Sequence, residues 1–172
     1  MSHVVTSRHH AHEAAALESQ AATASGDTAS ALRIEAANQW WLAGERTRCL
    51  ALLARVIETG GEAGCFARAE LLGVLLQDGD RAGAESELAA LAADPALTEG
   101  PCQLVGELLS DHGALTAALE WYDRVVAFWT DERHAAAVVP AGGAGASGRR
   151  TVDQMLAQQR QRVRKRLGLP PD

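Results

Sequence analysis

Aromatic side chains are scarce in this chain: one Tyr and two Phe accompany four Trp among 172 residues. β-Branched residues are also sparse, which leaves little from which to build a sheet. No run approaches the roughly 18 uninterrupted apolar residues of a transmembrane helix. Between Met1 and Ala16, histidines stand where a signal peptide needs an apolar stretch, so a cytoplasmic location is expected. Three cysteines, Cys49, Cys65 and Cys102, lie far apart with no Cys-x-x-Cys pair. Such a set speaks against a disulfide framework and fits a reducing compartment.

What is present is helical. Ala and Leu dominate, both strong helix formers. The 47% hydrophobic content is enough for a packed core. The reading is therefore all-α. Acidic residues outnumber basic ones by 22 to 16, but the two signs are segregated. From Arg149 to Arg166 seven positive residues face one negative, Asp153, while residues 1–148 are strongly acidic. An acidic body with a basic tail suggests that the tail contacts an acidic surface, the protein's own included.

Three glycines follow apolar helical stretches at Gly44, Gly79 and Gly113, spaced by 35 and 34 residues. Five residues after each stands a small side chain: Cys49, Ala84 and Ala118. Four further on stands a large one, Leu53, Leu88 or Tyr122; three beyond that an apolar one, Val56, Leu91 or Val125. Glycine just past a helix takes the left-handed conformation and turns the chain. The small residue then admits the next helix closely, and the residues four and seven positions on fill the contact. Each unit is thus a helix–turn–helix pair that needs a neighbour to bury its remaining face.

These positions resemble the tetratricopeptide repeat (TPR) family. The stretch Gly113-Ala-Leu-Thr-Ala-Ala118-Leu-Glu-Trp-Tyr122 is the best copy, with Leu115 for the family's first tyrosine. The earlier copies depart from the pattern, with Arg46 and Arg81 where an aromatic is usual. Arginine in place of lysine, and abundant alanine, resemble the usage of a high-GC bacterium. The resemblance implies a right-handed α-solenoid of stacked antiparallel pairs. Expected helices cover about 8–24, 28–43, 45–59, 64–78, 80–93, 97–112 and 114–130. The repeat domain is then 1–130, with a degenerate leading helix, and a Gly/Ala-rich loop or linker over 131–150 separates it from a basic amphipathic helix at 151–168, expected to cap the solenoid. In that last helix Thr151 and Gln154 have capping-box spacing, and Val152, Met155, Leu156, Val163 and Leu167 form the apolar stripe. Arg160, Arg162, Arg164, Lys165 and Arg166 are its basic residues, the first four expected on the opposite face.

The family's concave groove is lined by the first helix of each pair. Matched positions are Asn38 and Trp41, then Phe66 and Gln77, then Gln103, Glu107 and Asp111. The family's clamp for acidic peptides uses Lys and Arg there. Amides, carboxylates and aromatics imply instead a basic or apolar protein segment. Trp40 and Trp41 point about 100° apart on a helix, so one belongs to the core and the other is a candidate anchor. The function expected is that of a non-catalytic adaptor. The alternatives are self-association through the basic helix and contact with nucleic acid. His9, His10, His12 and Glu13 form a cluster without an evident second shell, so no metal site is assigned. The glycines of 142–148 lack the Lys-Ser/Thr of a phosphate loop, and no nucleophile and base fall together, so neither cofactor nor catalysis is expected.

Overall fold

Each of the three spaced glycines makes the same turn. In the computed structural model, which describes residues 2–137 and 146–170, Gly44, Gly79 and Gly113 have φ of 84°, 75° and 78°. Their amides donate to the carbonyls three residues back, on Trp41, Leu76 and Ser110. The next amides, of Glu45, Asp80 and Ala114, reach five residues back to Trp40, Leu75 and Leu109. This is the helix-ending pattern of a Schellman turn. Gly168 repeats it, with Leu169 donating to Arg164.

The described residues form helices and no strand. In order they are α1 (Ser2–Thr23), α2 (Gly26–Leu42), α3 (Arg46–Thr59), α4 (Gly61–Asp78), α5 (Arg81–Ala93), α6 (Glu99–Asp111), α7 (Leu115–Ala137) and α8 (Ala146–Arg166). None of them is long and apolar enough to cross a membrane. The expected linker over 131–150 falls partly on described helix and partly outside the described residues. Helix α7 continues to Ala137 and α8 starts at Ala146, and 138–145 between them lie outside the described residues. Thr151 is consequently inside α8 and does not begin it.

The chain divides into two compact units, Met1–Leu97 and Thr98–Asp172. In the first, α1 packs on α2, α2 on α3, α3 on α4 and α4 on α5, with α2 also touching α4. The core centres on Trp40, Leu53 and Val56, joined by Leu17 from α1 and Val74 from α4. Small residues permit the closeness: Ala36, Ala37 and Ala67 are fully buried. Ser7 and His10 of α1 bond to the Ala43 carbonyl and to Gln39, tying the leading helix to the end of α2. Asp80 caps α5 by accepting from the Gly83 amide. Asp94 ends that helix and accepts from the Ala96 amide.

In the second unit α6 packs on α7, and α7 on α8. Ala118, Tyr122 and Val125 of α7 are buried, as are Val105 and Leu109 of α6. Gly106 lets the pair close. A Cβ there would lie 2.7 Å from Cε1 of Tyr122. Of the nine positions picked out by the 34–35-residue spacing, eight are buried and Leu88 is half-buried.

Candidate partner-binding face

Helices α2 and α4 run side by side in the first unit, and the candidate residues of that unit meet between them. Trp41 Nε1–H donates to Gln77 Oε1 at 3.1 Å. Three residues earlier on α2, Asn38 Nδ2–H donates to Glu70 Oε1 at 3.2 Å. Phe66, Glu70 and Gln77 follow one another at four and seven residues on α4, which places them on one face. Phe66 and Trp41 are both half-buried. Beside this row Arg46 of α3 bonds to Asp78 at the end of α4, joining the turn at Gly44 to the turn at Gly79.

Glu70 was not among the residues the groove pattern selected, yet its carboxylate is the most consequential group on this face. Burial pushes its carboxyl above the ordinary value, and the bond from Asn38 opposes that only in part. Among the described residues Asn38 is its hydrogen-bonding partner, and no cation pairs with it. Its charge also helps to raise the neighbouring Cys49 thiol, after burial. A signal was available: Glu70 shares the phase of Phe66 and Gln77 in an otherwise largely apolar helix.

The two adjacent tryptophans separate as their 100° offset requires. Trp40 is 4% exposed, donates its indole N–H to Glu18 at 2.6 Å, and has the Arg48 guanidinium 4.3 Å from its ring. Trp41 lies against the edge of the core on the α4 side.

Gln103, Glu107 and Asp111 belong to the second unit, in line along α6. Gln103 donates to Glu107 at 3.0 Å. Helix α8 is seated on this row: Gln159 donates to the same Glu107 oxygen at 2.9 Å, and Arg166 reaches the Ser110 carbonyl. One residue of the expected α8 stripe departs from it, while Leu167 is half-buried. Leu156 and Val163 are buried, but Met155 is 56% exposed, and its side chain lies outside the contact. Turning Leu156 inward brings Arg160 to the packed side, where it pairs with Asp123 of α7 at 2.7 Å. Arg164 bonds to the Pro170 carbonyl, Arg162 and Arg166 line a pocket beside Glu107, and Lys165 is exposed. The Val152 side chain lies outside the described residues.

Of the histidine cluster, His9, His10 and Glu13 make side-chain contacts. His9 pairs with Glu13 at 3.8 Å, and His10 Nδ1–H donates to Gln39. The described residues contain no group of three His, Cys, Asp or Glu placed to hold a metal ion. All three cysteines are buried thiols outside any disulfide. Burial raises the Cys49 and Cys65 thiols to about 11, with Asp94 adding to the effect at Cys65. That shift is opposite to the one an activated nucleophile needs. Compared with protein-family models, with curated proteins and with solved structures, the chain matches none of them.

Proposed function

We propose that this chain is a non-catalytic, tetratricopeptide-like adaptor whose α2/α4 face receives a basic or apolar segment of a partner protein. The observation that carries this reading is the condition of Glu70. It is a desolvated carboxylate with one amide donor and, among the described residues, no paired cation, in one row with the half-buried Phe66 and facing the α2 residue Asn38. A partly buried charge lacking a counter-charge is costly. A lysine or arginine from a partner relieves that cost, while Trp41 offers the rigid apolar surface on which interfaces concentrate their energy. Asn38 and Gln77 then hold Glu70 and Trp41 in position and present their own spare polar atoms to a peptide backbone.

The test is calorimetric titration of the full chain with extended peptides of about twelve residues that combine Arg or Lys with Leu or Phe, against acidic counterparts of equal length. A basic-apolar set binding at micromolar to millimolar strength is expected. Trp41→Ala should weaken it at least about tenfold, and Glu70→Gln should weaken the basic peptides selectively. Failure of every such peptide to bind, or unchanged affinity in Trp41→Ala, would overturn the assignment.

A further inference from the structure

The outward side of α8 carries the chemistry that the α2/α4 face is suited to receive. Met155 is 56% exposed, and Arg162 and Arg166 are exposed as well. The three follow one another at seven and four residues, so they share one side of the helix within about 40°. That side is presented while α8 stays seated, because buried Leu156 and Val163 hold a different side against α8's own unit. Among the described residues no carboxylate forms an ion pair with Arg162 or Arg166, and Arg166 spends one of its donors on the Ser110 carbonyl.

The spacing matches the receiving face. On α4, Gln77, Glu70 and Phe66 lie seven and four residues apart, again on one side, with Trp41 bonded to Gln77 and Asn38 to Glu70. Seven residues span about 10.5 Å of helix and four about 6 Å. A helix laid antiparallel to α4 with Met155 on the Trp41–Gln77 pair therefore brings Arg162 to Glu70 and Arg166 to Phe66. Each meeting has its own chemistry. A thioether rests on an indole. A guanidinium reaches a carboxylate that has no paired cation among the described residues. A second guanidinium covers a phenyl ring. The parallel direction fails: with Arg162 at Glu70, Met155 would fall at Ala63 and Arg166 at buried Val74.

We infer that the α2/α4 face of one copy receives the Met155–Arg162–Arg166 side of α8 from a second copy of this chain. The inference rests on that face being a docking surface and names its occupant. The segregation of charge, an acidic body and a basic tail, draws the copies together in the same sense. Three side-chain meetings make a small interface, so a Kd on the order of 100 µM is expected, and dilute protein keeps the face open to other segments.

Sedimentation equilibrium of the full chain from about 5 to 500 µM is the direct test. A mass that rises above the monomer with concentration is expected. Met155→Glu and Arg162→Glu alter exposed residues and should each weaken the association at least about tenfold with the circular dichroism unchanged. Glu70→Lys should weaken it as much, and combining it with Arg162→Glu should restore most of the loss, because the two charges face each other across the contact. A cysteine pair reads the same contact without altering Glu70. Gln77→Cys with Met155→Cys should give a covalent dimer on oxidation, whereas Gln77→Cys with Lys165→Cys should not. A monomer at every concentration overturns the inference, as does association that Arg162→Glu leaves unchanged, or a cysteine pair that cross-links no better than its control. A chain that stays monomeric yet binds the basic-apolar peptides would remove α8 as the occupant and leave the reading of the face standing; a monomer that binds none of them would remove both.

Discussion

Replacing Gly106 by alanine separates two effects of opposite sign. On an isolated helix the change is favourable by about 1 kcal/mol, because glycine has more backbone freedom to lose. In α6 the new Cβ would stand 2.7, 2.9 and 3.0 Å from Cε1, Cδ1 and Cζ of Tyr122. That ring belongs to a residue 2% exposed, held between α6 and its own helix, so it has little room to yield. Overpacking of a core costs about 1–3 kcal/mol. The net expectation for Gly106→Ala is a loss of about 1 kcal/mol, measured by urea unfolding followed through circular dichroism and tryptophan emission. Tyr122→Leu removes the ring and with it the clash. In that background Gly106→Ala should become neutral or stabilising, a swing of about 1–2 kcal/mol in a double-mutant cycle. If Gly106→Ala stabilises the parent protein, or costs as much without the tyrosine as with it, the close approach of α6 and α7 has been misjudged.

Glu70→Gln should make the protein more stable at neutral pH while weakening peptide binding. The folded-state carboxyl is raised above its ordinary value of 4.5, so its contribution is fully present below about pH 4.5 and is lost as pH rises through the folded value. The neutral amide can still accept from Asn38, so the difference between variant and parent should grow from near zero at about pH 4 toward neutrality; a pH-independent difference would refute the assignment. Thiol labelling in native buffer should leave Cys49, Cys65 and Cys102 unreacted, since each is at most 1% exposed. With rising denaturant, Cys49 and Cys65 report the opening of the first unit and Cys102 that of the second; rapid native labelling of any of them would contradict the packing. Arg160→Ala removes an ion pair with a half-exposed partner, so a loss of about 0.2–1 kcal/mol in urea unfolding is expected, and a much larger one would mean that the pair anchors α8.

Much of the fold is legible because a turn of this kind has a steric requirement. Positive φ at Gly44, Gly79 and Gly113 demands glycine, and the helix that follows must begin with a small residue on its inner face. Both constraints leave marks at fixed spacing, and Leu88 is the one position of the nine that the core does not enclose. Helix α8 was less legible. Met155 and Leu156 are adjacent and equally apolar, so the local pattern allows either phase. The choice of Leu156 is made by packing on α7, and it carries Gln159 and Arg160 inward. The extension of α7 to Ala137 has a similar origin. Ala135, Ala136 and Ala137 are good helix formers whose continuation no glycine or proline stops. On the candidate face, Asn38, Trp41 and Gln77 were readable from register. Glu70 shares that register, but its importance does not show in it, because that importance lies in burial without a counter-charge, and burial of one residue on a helix face is settled by the neighbouring helix.

The central claim is best tested by hydrogen exchange on the full chain with and without the tightest basic-apolar peptide from the titrations. Binding at the proposed face predicts that protection increases along residues 34–45 and 66–78 and stays unchanged along α1 and α8. Protection confined to α8, or spread over α1 and α3 instead, would contradict it and place the partner elsewhere on the molecule.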